Sequence, residues 1–290
     1  MSRRFLQLDV FTHRAGAGNT LAVVLDPEGL DSTEMQRFAA WTQLPETTFL
    51  LPPTTPEASY RLRIFTPRRE VPFAGHPSIG TAYAALESGR ALPRDGHLIQ
   101  EGAAGLLPLR VEGEGATRRI YIRAPASRIA EAPDLDPMLL ANAWHGLARG
   151  ALPPTLVEGG RRWWMVELAD EAAVRGMAPD LEAIAGLARA SDTMGLCVFA
   201  RCHGQDYGLV VRAFLPAHGH AEDPASGAAN AMIAAFLQQC GALGELGSRY
   251  VSSQGREIGR DARIELSVDS DGAVWVGGQT KTVIRGELDW

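Results

Sequence analysis

Residues 72–86 read PFAGHPSIGTAYAAL, and residues 222–237 read EDPASGAANAMIAAFL. In each, a polar residue precedes proline, small residues follow, and the chain runs into a helix that is apolar on nearly every side. The spacing is 147 residues at two matched positions (76 to 223, 80 to 227), about half of the 290-residue chain. An internal repeat of this length predicts two similar domains. A helix apolar all round is buried by its own domain, here inside a curved sheet.

The flanking segments fit that plan. RRFLQLDVF, TLAVVLD, TTFLLP and SYRLRIF read as strands before the first helix, and HLIQE, GLLPLRVE and RRIYIRA as strands after it. DSTEMQRFAAWTQ reads as a short amphipathic helix, capped by Asp31 or Ser32, with Met35, Phe38, Ala39 and Trp41 on its apolar side. Residues 125–150, rich in Ala, Pro and Asp, form a connector with a short helix. The pattern then restarts: RWWMVELA, a helix over PDLEAIAGLARA, MGLCVFAR and YGLVVRAFLP, the second repeat helix, and four closing strands. The predicted fold is α+β, with two pseudo-symmetric domains, each a mainly antiparallel barrel-like sheet around a central helix. The domains are expected at 1–128 and 129–278, with 279–290 a final strand returning to the N-terminal domain.

Composition narrows the function. The hydrophobic content of 46%, charge of −6 and pI near 5.7 describe an ordinary globular chain without the basic footprint of a nucleic-acid binder. No run approaches the roughly 18 apolar residues of a membrane helix. MSRRFLQLDVF lacks a signal-peptide core, so a cytoplasmic location is expected. Cys197, Cys202 and Cys240 show no CxxC spacing and read as buried, reduced thiols. GAGNT (16–20) is not a dinucleotide loop, because a strand follows it and the third glycine is missing. Trp163 and Trp164 read as packing residues, with a subunit contact as one place for them.

Two readings stand for the helix mouths. Asp223 before Pro224 is a good cap and His76 before Pro77 a poorer one, with Gly80 and Gly227 allowing tight packing. Alternatively, two helix N-termini with unpaired N–H groups form a clamp for a small carboxylate at a domain interface.

The motifs LDVFT (8–12), GNTLAVV (18–24), PETTFL (45–50), RIFTP (63–67), PFAGHPSIGTA (72–82), EDPASGAA (222–229), SSQGREIGR (252–260) and VGG (276–278) occur in order from end to end. With them the chain resembles the PhzF-like phenazine-biosynthesis isomerase family, which shares the diaminopimelate-epimerase fold. The resemblance implies that Glu46 is the catalytic general acid/base and that His76 and Asp223 are polar groups facing each other across a cleft. It also implies that the backbone at Gly75 and Gly227 receives the substrate carboxylate. Ser78, Ser226 and Ala228 complete the candidate substrate-binding set. The family works without metal or cofactor, is usually homodimeric, and takes its name from isomerising trans-2,3-dihydro-3-hydroxyanthranilate.

The residues suit that chemistry. Moving a proton between carbons on one face needs one carboxylate that takes it up and returns it, best in apolar surroundings. Leu44, Pro45 and Phe49 flank Glu46. His76 is expected to be neutral, donating to a developing enolate or anchoring a polar group of the substrate. Two departures from the family are visible. Ala228 stands where a hydroxyl residue is common, and Asn19-Thr20 where a proline is commoner, the latter read as a local loop difference. A racemase of the same fold would carry paired cysteines at the helix mouths, whereas this chain has His76 and Asp223. A non-catalytic metabolite-binding protein is the third class.

Overall fold

Strand β1 (Ser2–Val10) is flanked on one side by β2 (Asn19–Val24) and on the other by the last strand of the chain, β18 (Thr280–Asp289), both antiparallel. The structure is a computed structural model that describes residues 2–290. From β2 the sheet continues in parallel to β3 (Glu46–Leu51), then antiparallel to β4 (Tyr60–Phe65). β4 pairs with the short β5 (Glu70–Val71) and, in parallel, with β6 (His97–Gly102), which leads to β7 (Gly105–Glu112) and β8 (Arg119–Arg123). Helix α1 (Ser32–Thr42) links β2 to β3, and α2 (Gly75–Glu87) links β5 to β6.

The described residues through Arg123, together with Gly277–Trp290, form one compact unit. Helix α2 packs against β1, β2, β3, β4, β6, β8 and β18, so the sheet curls around it as the apolar sequence requires. Gly80 makes that closeness possible, because a Cβ there would lie 2.5 Å from Leu21 and 2.9 Å from Val10.

Residues 124–276 form the second compact unit. Its strands are β9 (Arg128–Ile129), β10 (Thr155–Glu158), β11 (Arg162–Glu167), β12 (Leu196–Arg201), β13 (Leu209–Leu215), β14 (His220–Asp223), β15 (Arg249–Gln254) and β16 (Ala262–Val268). Strand β17 (Val274–Gly278) runs across the boundary. The helices are α3 (Pro137–Asn142), α4 (Glu171–Gly176), α5 (Leu181–Ser191) and the central α6 (Gly227–Gln239). The pairing β10–β11, β11 parallel to β12, β12–β13 and β13 parallel to β15 repeats β1–β2–β3–β4–β6 of the first unit in kind and order. The repeat is therefore one of topology as well as of sequence.

Three expectations are corrected by packing, and the packing role read for Trp163 and Trp164 holds. Trp41 is 70% exposed, because the helical stripe set by Met35, Phe38 and Ala39 passes through position 42. Its ring lies at the rim, near Phe38 and Trp290. Cys240 is exposed at the C-cap of α6, whereas Cys197 and Cys202 are buried. Trp163 and Trp164 are buried within their own unit, where the Trp164 indole N–H donates to Ser191 Oγ at 3.0 Å. Asn19 and Thr20 are the first residues of β2 rather than loop.

Candidate active site

Glu46 opens β3, directly opposite Leu21 of the parallel strand β2. Two buried hydroxyls behind it fix the strand. Thr48 donates to the Ala22 carbonyl at 3.2 Å and accepts from Thr81 of α2 at 2.8 Å. The same helix carries His76 in its first turn, and His76 Nε2 comes to 3.3 Å from Glu46 Oε2. The Glu46 side chain is one-fifth exposed and that of His76 one-tenth.

The imidazole is neutral. Burial pushes its pKa down to about 3, opposed only by the hydrogen bond the ring donates to the Thr20 backbone. Nε2 has no hydrogen-bond partner among the described residues.

The mouth of α2 has a feature of its own. Gly75 is the first helical residue, its φ is not left-handed, and a Cβ there would meet nothing within 4 Å. Neither conformation nor crowding requires this glycine, and helices disfavour it. What it leaves is bare backbone at a helix N-terminus beside Glu46 and His76, a setting that receives anions well. Ser78 does not face that opening. It is fully buried, donating to the Ala74 carbonyl at 2.9 Å and accepting from Gln100 at 3.1 Å, and so secures the helix start.

The other candidates belong to the second unit, and there the helix begins later than the sequence repeat implies. Asp223 is not the cap of α6. It ends β14, paired with Ala213 of β13, and its carboxylate accepts from the Ala225 N–H at 3.1 Å. The cap is Ser226, whose hydroxyl accepts from the Ala229 N–H at 3.3 Å. Strand pairing holds Asp223 extended, so the next good capping residue starts the helix. Gln254, in a motif to which no role was assigned, locks this mouth. It accepts from the Ser226 N–H and Asn230 and donates to the Asp223 carbonyl, at 2.8–3.1 Å. Gly227 is buried as the first helical residue, and Ala228 is exposed beside it.

The repeat also shows what is not duplicated. Glu46 opens β3 in the pairing that Leu196, fully buried, holds at the start of β12. The three cysteines lie on β12, just after it, and at the far end of α6, so neither helix mouth has a thiol. Among the described residues no three His, Cys, Asp or Glu side chains are grouped to hold a metal ion. No helix of the described residues is long and apolar enough to cross a membrane.

Comparison with known proteins agrees with this architecture. The sequence model of the PhzC-PhzF family, described as "Phenazine biosynthesis-like protein", matches residues 8–286. The chain is 35% identical to "Antisense-enhancing sequence 1" of Schizosaccharomyces pombe, covering 98% of this chain and 97% of that one. It is 32% identical to the trans-2,3-dihydro-3-hydroxyanthranilate isomerase of Pseudomonas chlororaphis, covering 98% of each. A crystal structure of a Bacillus anthracis PhzF-family protein superposes with a TM-score of 0.84 at 24% identity, over the full length of both chains. With a family match over nearly its whole length and several relatives named as isomerases, this chain belongs to the phenazine biosynthesis-like family and is an isomerase.

Proposed function

We propose that this isomerase moves a proton between two carbons of a small carboxylate-bearing metabolite, without a cofactor, using Glu46 as its single acid/base. The substrate class is that of trans-2,3-dihydro-3-hydroxyanthranilate, the compound in the name of the Pseudomonas relatives. The observation that carries the reading is the 3.3 Å approach of Glu46 Oε2 to a neutral His76, beside the open backbone at Gly75.

In the forward direction the Glu46 carboxylate takes a proton from a substrate carbon. The C–H pair stays on the substrate as a delocalised anion, and the new carboxylic acid returns the proton at a second carbon on the same face. The product is an isomer, and Glu46 is regenerated. His76 Nε2 stays within 3.3 Å of Glu46 Oε2, beside the reacting carboxyl. His76 takes one of its two expected roles, donating to the developing enolate or anchoring a polar group of the substrate. Gly75 offers backbone N–H for the substrate carboxylate. By the family motif EDPASGAA, Asp223 and the Gly227–Ala228 backbone are proposed for the same reaction, and Asp223→Asn tests that assignment. The working form in this proposal is a homodimer, to be checked by sedimentation velocity.

A two-base racemase fits less well, because Leu196 stands where a second Glu46 would be and neither mouth holds a cysteine. The deciding experiment incubates the protein with cyclic and amino-acid carboxylates in deuterated water and follows deuterium at carbon by mass spectrometry. Wash-in that falls by about 100-fold or more in Glu46→Gln supports the proposal. Equal wash-in by both proteins removes Glu46 from the chemistry, and bound ligand without exchange points to the non-catalytic class.

A further inference from the structure

Counted from the first helical residue, the two units share a second pattern. Glu70 stands five residues before Gly75, and Glu222 five residues before Gly227, each on the short strand that feeds its central helix. Arg63-x-Phe65-x-Pro67, on and after β4, matches Arg212-x-Phe214-x-Pro216, on and after β13. The fold joins the two halves of this pattern. Arg63 Nε and Nη2 donate to the two Glu70 oxygens at 2.7 and 2.6 Å, and Arg212 Nε and Nη2 donate to those of Glu222 at 3.0 and 2.8 Å. Each guanidinium also lies over the phenylalanine two residues on, 5.0 Å from the Phe65 centroid and 4.9 Å from that of Phe214. Further N–H groups reach the equivalent linking helices. Arg63 donates to Ser32 Oγ of α1 at 3.0 Å, and Arg212 to the Val174 and Met177 carbonyls at the end of α4, at 3.2 and 2.6 Å. The side chains of the first pair are 26% and 36% exposed and those of the second 5% each, so the shared feature is the link and not its surroundings.

We propose that Arg63–Glu70 and Arg212–Glu222 are matched positioning pairs, each of which fixes the backbone entering a helix mouth and so aims that mouth. Strand β5 has only two residues, with Phe65 opposite Glu70 and Ile64 opposite Val71, and β14 meets β13 across an irregular register. Ladders so short set the exit direction of the chain loosely. A bidentate arginine–carboxylate fork fixes direction as well as distance. From Glu70 the chain runs directly to Gly75 and His76, and from Glu222 to Asp223 and to Ser226, the cap of α6. Neither pair belongs to the groups assigned to proton transfer, so both act through the backbone. The bearing on catalysis rests on the reading of the two mouths as the substrate site.

The test is hydrogen–deuterium exchange of the full chain, read by mass spectrometry on peptides covering residues 70–80 and 222–232. Arg63→Gln and Glu70→Gln should each quicken exchange in the first segment by about tenfold, the worth of one charge-assisted hydrogen bond, and leave the second unchanged. Arg212→Lys, which keeps the charge of the buried pair but not its fork, should do the reverse. The charge-swapped pair, Arg63→Glu with Glu70→Arg, should recover most of the lost protection. In deuterium wash-in at carbon, the apparent KM of the variants should rise more than the saturating rate falls, because the mouths hold the substrate carboxylate. Folded variants with unchanged exchange, or exchange quickened evenly through the whole unit, would overturn the proposal. So would variants of the part-exposed first pair that fail to fold, by assigning that pair to stability alone. Quickened mouths with an unchanged KM would overturn the link to catalysis. The exchange readout needs no turnover, so absence of wash-in from the wild type would sink the isomerase reading alone.

Discussion

The Thr81 hydroxyl donates to Thr48 at 2.8 Å, and this buried bond ties the helix that carries His76 to the strand that carries Glu46. Glu46 lies two residues before Thr48, and His76 lies five residues, about one and a half turns, before Thr81. Thr48 in turn donates to Ala22 of β2, the strand on which Thr20 holds the His76 ring. The two candidate groups are thus referenced to one hydroxyl pair in the core.

Thr81→Val keeps the shape and removes that bond. The expected loss of stability is about 1 kcal/mol, read as a lower urea midpoint with an unchanged slope. Wash-in should fall more than stability does, because the distance between Glu46 and His76 is no longer fixed. An unchanged rate at the lower midpoint would limit Thr81 to packing.

His76 gives the protein a pH dependence whose sign follows from its burial. Its folded value, about 3, lies below the ordinary 6.5, so between these limits the unfolded chain binds a proton that the folded chain refuses. The stabilisation is complete above about pH 6.5 and is lost as pH falls toward 3, by at most about 1.4 kcal/mol per pH unit. Urea unfolding of wild type and His76→Gln should therefore converge by about 2 kcal/mol between pH 7 and pH 5. Parallel curves across that range would show that the ring is not held neutral.

Gly75 and Gly80 separate function from packing within one helix. Gly75→Ala meets no atom and removes a poor helix former, so stability should hold or rise by up to about 1 kcal/mol. Wash-in should fall, because the methyl enters the mouth that the substrate carboxylate would occupy. Gly80→Ala should leave less stable protein, by about 1–3 kcal/mol, since its Cβ would press on Leu21 and Val10. Thermal unfolding measured beside deuterium exchange checks both.

Thiol chemistry should divide the cysteines by burial. Cys197 is pushed up by desolvation and Cys202 likewise to about 12, and both are buried. Native protein should therefore react with an aromatic disulfide reagent at Cys240 alone, with the other two thiols released on unfolding. Fast reaction of a second thiol in native protein would contradict the packing of β12.

The sequence alone determined the repeat, the two buried central helices and the family, because these depend on patterns that local composition and spacing carry. Glu46, His76 and Asp223 were named from motifs for the same reason. It could not place the start of the second helix. Asp223 and Ser226 are equally good caps, and strand pairing with Ala213 decides for Ser226. Nor could it give roles to Thr20 or Gln254, which sit inside motifs but meet partners distant in the chain. Above all, the environment of His76 is a tertiary property. A histidine before proline fixes neither its burial nor its partner, whereas the folded first unit buries the ring, sets it beside the Thr20 backbone and brings Nε2 to within 3.3 Å of Glu46.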